Sequence, residues 1–231
     1  MHWFDKLRIL TVILMLSLED KINAEAQSEP AGINSKPGLG AEGKPPKSTV
    51  WQGGVGEGFL PTAENFSLES GIGLGVAAFG SREAHDLALL SFTYGHMLGH
   101  VKGEGHWYRG NFEGRLELLG GMQFHPDVDT DGWLIGLTPH LRYNFATGSR
   151  WIPFLDGGAG VTATGIGPPD LSGTFEFNLQ ATAGVHSFLR DYLALTGEVG
   201  FMHLSCAGIH HPNLGMNDVC FRIGVTWFFG K

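Results

Sequence analysis

The sequence predicts an all-β protein, an eight-stranded antiparallel transmembrane β-barrel, and three observations carry that reading. Apolar and polar residues alternate in segments of about ten residues bounded by turn formers, the period of a strand with two unlike faces, and no long stretch keeps helical periodicity. Thirty-six glycines and sixteen phenylalanines accompany only 16% charged residues. The alternating segments number eight, the smallest even count used by barrels that cross a membrane.

In chain order, Lys6 and Arg8 precede an apolar run from Ile9 to Leu18, and Ala24-Glu25-Ala26 follows. A positive start, a short apolar core and a small-x-small site make residues 1–26 an export signal cut after Ala26. A helix crossing a bilayer takes about 20 apolar residues, more than this run supplies. Residues 27–49, with Lys44-Pro45-Pro46-Lys47, hold almost no large apolar side chain. Such a segment cannot bury enough surface to offset the entropy of ordering it, so it reads as a flexible leader. The barrel domain then spans residues 50–231.

Strands are expected over residues 67–79, 86–98, 106–124, 133–145, 151–164, 174–188, 192–209 and 218–229. In the last, Val219, Phe221, Ile223, Val225, Trp227 and Phe229 share one face, with Cys220, Arg222, Gly224 and Thr226 on the other. Alternation alone does not say which face is inside. A soluble lipocalin-like barrel turns its apolar face inward, a membrane barrel outward. Aromatic residues near strand ends (Trp107, Trp133, Trp151, Trp227, Phe228, Phe229) suit an interfacial girdle. The opposite faces carry Arg115, Arg142 and Arg222 with Glu113, Glu117, Glu176 and Glu198, charges able to neutralise one another in a narrow lumen. Net charge is −8 and no basic cluster stands out, which argues against a nucleic-acid partner.

Chemistry concentrates at the end of the seventh segment. His203 and Ser205 are two residues apart on one strand face, about 7 Å along the backbone. A serine hydroxyl becomes a nucleophile only when a base takes its proton, so a histidine and a serine on one face are the minimal parts of an acyl-transfer site. Both share parity with Val199 and Phe201, so in a membrane barrel the pair faces lipid. Polar groups there are costly away from the interface, and a lipid ester is the natural substrate. No serine lies in a Gly-x-Ser-x-Gly elbow, so an α/β-hydrolase is not indicated. His210 and His211 diverge along a strand and do not converge with His203 as metal ligands would. No metal or other cofactor is expected.

His203-Leu204-Ser205-Cys206-Ala207-Gly208 with Pro212-Asn213-x-Gly215 resembles the His-x-Ser-Asn-Ala-Gly…Pro-Asn-x-Gly signature of the lipid A 3-O-deacylase family, also labelled acyloxyacyl hydrolase. Leu141-Arg142-Tyr143-Asn144-Phe145 and the Pro153-Phe154…Gly158-Ala159-Gly160 segment also look like the broader family. The resemblance implies an eight-stranded barrel in a bacterial outer membrane, with a His-Ser-acid triad on its outer surface that removes an acyl chain from lipid A of lipopolysaccharide. By that resemblance Ser205 is the nucleophile and His203 the general base, while Asn213 and the backbone N–H groups after Ser205 face the oxyanion. Two positions depart from it. Asn217 stands where the triad has glutamate, so it can orient His203 but brings no charge. Cys206 stands where the motif has asparagine. An alternative is a structural barrel of the same fold that lost activity with the acid, and pairing of two copies as a homodimer stays open.

Cys206 and Cys220 are the only cysteines. Both have lumen parity and lie on the arms of a hairpin centred near Asn213, so in an oxidising compartment a disulfide between them is the expectation. Nothing nearby depresses a thiol pKa in the way a reactive cysteine needs.

Overall fold

The computed structural model describes residues 51, 54–81, 85–124, 132–168, 170–171 and 174–229. The expected export signal and leader lie outside the described residues. A short 3-10 turn, Val55–Phe59, precedes eight strands: β1 (Glu64–Gly75), β2 (Leu87–Met97), β3 (Gly110–Gln123), β4 (Trp133–Phe145), β5 (Trp151–Thr164), β6 (Phe175–Arg190), β7 (Leu193–Ser205) and β8 (Met216–Phe229). Each strand pairs antiparallel with the next, and β1 closes on β8 from Glu64↔Phe229 to Gly75↔Asp218. Closure leaves no unpaired edge, which is what a sheet in lipid requires.

The faces settle the choice between the two kinds of barrel. Phe92, Leu116, Leu118, Ile135, Leu137, Leu155, Leu179, Val199, Phe221 and Ile223 point outward, exposed. Their neighbours of opposite parity are buried and polar: Glu69, Glu113, Arg115, Glu117, His140, Arg142, Asp156, Glu198 and Arg222. Water penalises that arrangement and lipid rewards it, so this is an outer-membrane type of barrel.

The lumen is filled in three layers. At the end where β1 begins, Trp51 stacks on Phe59 at 4.3 Å between ring centroids, and Phe59 meets Phe228 at 5.1 Å, with Val55, Ile152 and Phe188 around them. Phe228 therefore belongs to this plug rather than to an outer girdle, because its even position turns it inward. The middle layer is ionic. Asp156 receives Arg115 and Arg142, each at 2.8 Å, and His140 at 2.6 Å. Glu198 bridges Arg142 at 3.2 Å and Arg222 at 2.5 Å, and Arg222 continues to Glu117. Arg142 also lies 3.5 Å over the Phe154 ring. Above it a second apolar cluster gathers Leu87, Leu119, Leu134, Ile166, Leu171, Met202, Leu204 and Met216.

Strand ends correct the sequence reading at several places. The first strand starts at Glu64 and stops at Gly75, not over 67–79, because Phe79 (φ 49°) and Gly80 (φ 107°) turn the chain sharply. β7 ends at Ser205 rather than at residue 209, because Ala207 (φ 52°) and Gly208 (φ 81°) adopt the left-handed conformation. Leu204 pairs with Met216, so the β7–β8 hairpin is centred on residue 210 and not near Asn213. The β1–β2, β3–β4, β5–β6 and β7–β8 connections leave from one rim, and the β2–β3, β4–β5 and β6–β7 connections from the other.

Candidate functional site

β7 delivers Phe201, His203 and Ser205 to the outward face beside the β7–β8 connection, and β8 delivers Asn217 to the same face. His203 and Asn217 are direct register partners. Opposed side chains on one sheet face lie within about 5.5 Å at Cβ, so the two meet without distortion. The His203 Nδ1 to Asn217 Oδ1 distance is 2.7 Å.

Asn217 has outward parity yet is only 2% exposed, because the β1–β2 connection folds over it. Its Nδ2 donates to the Ala78 carbonyl oxygen at 2.7 Å and to Ser81 Oγ at 3.1 Å, and the Val76 N–H donates to its backbone oxygen at 2.8 Å. A backbone carbonyl can only accept, so the amide nitrogen must face Ala78 and the amide oxygen must face His203. His203 then carries its proton on Nδ1, which leaves Nε2 as a proton acceptor.

Two further contacts hold the imidazole. Phe79, 82% exposed, stands edge-on to Phe201 and His203 with ring centroids 6.0 and 6.4 Å away. Gly215 (φ 79°) lies against the ring, and a Cβ there would come within 3.1 Å of His203 Cε1. Ser205 is half-buried and shares the outward face with His203, with no hydrogen bond between the two among the described residues. It opens onto a shallow outer groove floored by Ala159 and Gly160 and walled by Val161, Phe177 and Leu179. The turn that follows leaves Ala207 and Gly208 exposed at its apex.

The loops of this rim are tied to one another. Asp170 accepts the N–H groups of Leu214 and Gly215 on its carbonyl, at 3.0 and 2.9 Å, and its buried carboxylate meets His85 Nε2 at 2.9 Å. Sequence reasoning attached no role to His85, and Ser81, Phe79 and Asp170 likewise escaped it. They lie in separate loops with no shared spacing, and only register and loop packing bring them to β7.

Two expectations are corrected. Asn213 does not point its amide at Ser205; its Nδ2 donates to both carboxylate oxygens of buried Glu176 at 3.0 and 2.9 Å, tying the loop to β6. Cys206 and Cys220 form no disulfide, and both are buried. Cys220 pairs with Gly200, six residues before Cys206 and hence about 20 Å down β7, whereas bridged cysteines have Cα atoms within about 7 Å. The Cys206 thiol instead stitches the turn, 3.3 Å from the His210 oxygen and 3.4 Å from its nitrogen. His210 and His211 are exposed, and no cluster of three or more His, Cys, Asp or Glu suited to a metal occurs among the described residues.

Fold and site together define an outer-membrane type of barrel bearing a histidine, an orienting amide and a serine on its lipid-facing wall. Residues 86–226, which include every one of those groups, match the family model of lipid A 3-O-deacylase (PagL), and the chain belongs to that family. No match is found among curated proteins. Among solved structures, the outer membrane enzyme PagL superposes with a TM-score of 0.55 at 18% identity, covering 68% of this chain and 97% of that one. Neisserial surface protein A (NspA) superposes with a TM-score of 0.52 at 12% identity, covering 72% and 97%. At these identities the likeness is one of fold.

Proposed function

We propose that this protein is an outer-membrane lipid ester hydrolase that removes an acyl chain from lipid A of lipopolysaccharide, with Ser205 as nucleophile and His203 as general base. The observation that carries the reading is the imidazole itself: Asn217 fixes its Nδ1–H, and its free Nε2 shares the wall with Ser205. Catalytic hydrogen bonds are often long in unliganded sites and tighten only with substrate, so the open Ser205–His203 pair suits a resting enzyme. With the ester carbonyl over Ser205, Nε2 takes the hydroxyl proton as Oγ bonds to the carbonyl carbon. The oxyanion faces the N–H groups of Ala207 and Gly208. The imidazolium returns its proton to the departing sugar oxygen, and a water then cleaves the acyl-enzyme by the same route. The groove of Ala159, Gly160, Val161, Phe177 and Leu179 is apolar and lipid-facing, a bed for the acyl chain. Asn217 stabilises no charge on the imidazolium. In serine proteases, an amide in place of the acid costs about four orders of magnitude in rate, so this enzyme is expected to be slow.

A second reading, a structural barrel without activity, has that same amide in its favour. The test is mature protein folded into detergent and incubated with lipid A, with released fatty acid followed by mass spectrometry beside Ser205→Ala. Release that disappears in Ser205→Ala is the expected result. No release from the wild type over long incubation would overturn the hydrolase and leave the structural barrel.

A further inference from the structure

The segment Val76–Ser81 is connected to the site at more points than a covering loop needs. Ser81 is 7% exposed, and its Oγ lies 3.0 Å from the Ala78 oxygen, 3.2 Å from the Ala78 nitrogen and 3.3 Å from the Val76 oxygen. The Ser81 N–H donates to the same Ala78 oxygen at 3.0 Å. The hydroxyl therefore holds the turn whose carbonyl receives the Asn217 amide, and it also accepts from that amide directly, at 3.1 Å.

Building on the esterase reading, we infer that Ser81 is a positioning residue for the reaction and that the turn it holds adapts the site to an amide, not an acid, at position 217. The physical reason is donor and acceptor matching. Of the two terminal atoms of residue 217, one must accept from His203 Nδ1–H and the other must donate to the Ala78 oxygen, 2.7 Å away. An asparagine does both. A carboxylate does only the first: its second oxygen would lie against a carbonyl oxygen at that distance, and burial under the turn denies it water. A buried acceptor facing an acceptor costs more than a missing bond. The serine–histidine site has therefore not merely lost an acid; its first loop is built around the amide.

Three substitutions and two readouts test this in the full-length barrel in detergent. In lipid A deacylation, Ser81→Ala is expected to lower kcat about tenfold with KM little changed. The same substitution in an Asn217→Ala background is expected to do nothing further, because the group through which it acts is gone. Asn217→Asp is expected to be slower than the wild type, although generic triad logic predicts a large acceleration. A faster Asn217→Asp, or a Ser81→Ala effect undiminished in the Asn217→Ala background, would overturn the inference.

The second readout needs no activity. In protein labelled with ¹⁵N-histidine, with His203 assigned through His203→Gln, the wild type should show His203 protonated on Nδ1. Ser81→Ala should show a mixture of tautomers. Unchanged His203 shifts in Ser81→Ala would overturn the positioning role. If the wild type releases no fatty acid but the tautomer responds as expected, the esterase reading fails and the clasp on Asn217 stands.

Discussion

Gly215 offers the sharpest test of the imidazole's placement. It sits at φ 79°, and an alanine there would hold its Cβ 3.1 Å from His203 Cε1 and 3.3 Å from the Leu204 oxygen. Carbon atoms in comfortable contact stand about 3.5–4.0 Å apart, so the ring must retreat by roughly 0.5 Å. It is tethered by the 2.7 Å bond to Asn217, and that bond lengthens or the ring tilts. A misplacement of 1 Å can cost a hundredfold in rate, which makes about tenfold a fair expectation for half that shift. The left-handed backbone adds about 1–2 kcal/mol of strain for any residue with a Cβ. Gly105, in the β2–β3 connection at the opposite rim, controls for the global cost of such strain. Its φ is 87° and nothing lies within 4 Å of the added carbon, so Gly105→Ala carries the strain without the contact. With initial rates of fatty-acid release measured on both variants, Gly215→Ala should lose about tenfold in kcat and Gly105→Ala should match the wild type. Equal losses in the two, or none in Gly215→Ala, would refute the placement.

Other features of the structure make equally definite predictions. Arg142, 1% exposed, ties Asp156 to Glu198, and Arg142→Met takes one cation from each while Arg115 and His140 still hold Asp156 and Arg222 still holds Glu198; the loss should be about 1.5–3 kcal/mol in urea unfolding from detergent. Ala159 floors the outer groove, and Ala159→Phe should slow hydrolysis of long-chain 4-nitrophenyl esters roughly tenfold more than that of short-chain ones. Equal effects would mean that the chain lies elsewhere. Maleimide labelling of unreduced, unfolded protein should modify both Cys206 and Cys220, and a mass deficit of two protons would contradict the register of β7 on β8.

The strands were legible because lipid and lumen impose opposite demands at every second residue, so β4 and β5 could be bounded from alternation alone. Asn217 was named by the resemblance, as the position of the triad acid, and only the register of β7 on β8 places it opposite His203. Failures cluster where parity stops. Residues 76–79, Val-Ala-Ala-Phe, read as apolar strand because a turn made by Phe79 in the left-handed region has no compositional signal apart from the neighbouring Gly80. The same ambiguity misplaced the centre of the last hairpin by about three residues. That error moved the partner of Cys206 and produced a disulfide the register forbids. Asn213 was assigned to the oxyanion by the resemblance, whereas its amide follows the nearest buried carboxylate, Glu176, from another strand.

A polar side chain on a lipid-facing wall has no water to satisfy it, and an amide left there without partners costs several kcal/mol. The barrel answers by folding its first loop outward over the rim, so that Asn217 is buried among hydrogen-bond partners on the outside of the sheet. His203 and Ser205 stay half-buried beside it, bordered by Phe79 on one side and the apolar groove on the other. The site is thus assembled from a strand pair and a clasp rather than from a pocket. For a substrate whose ester lies at the membrane surface and whose chain lies in it, that is the geometry in which the carbonyl can reach a nucleophile without leaving the lipid.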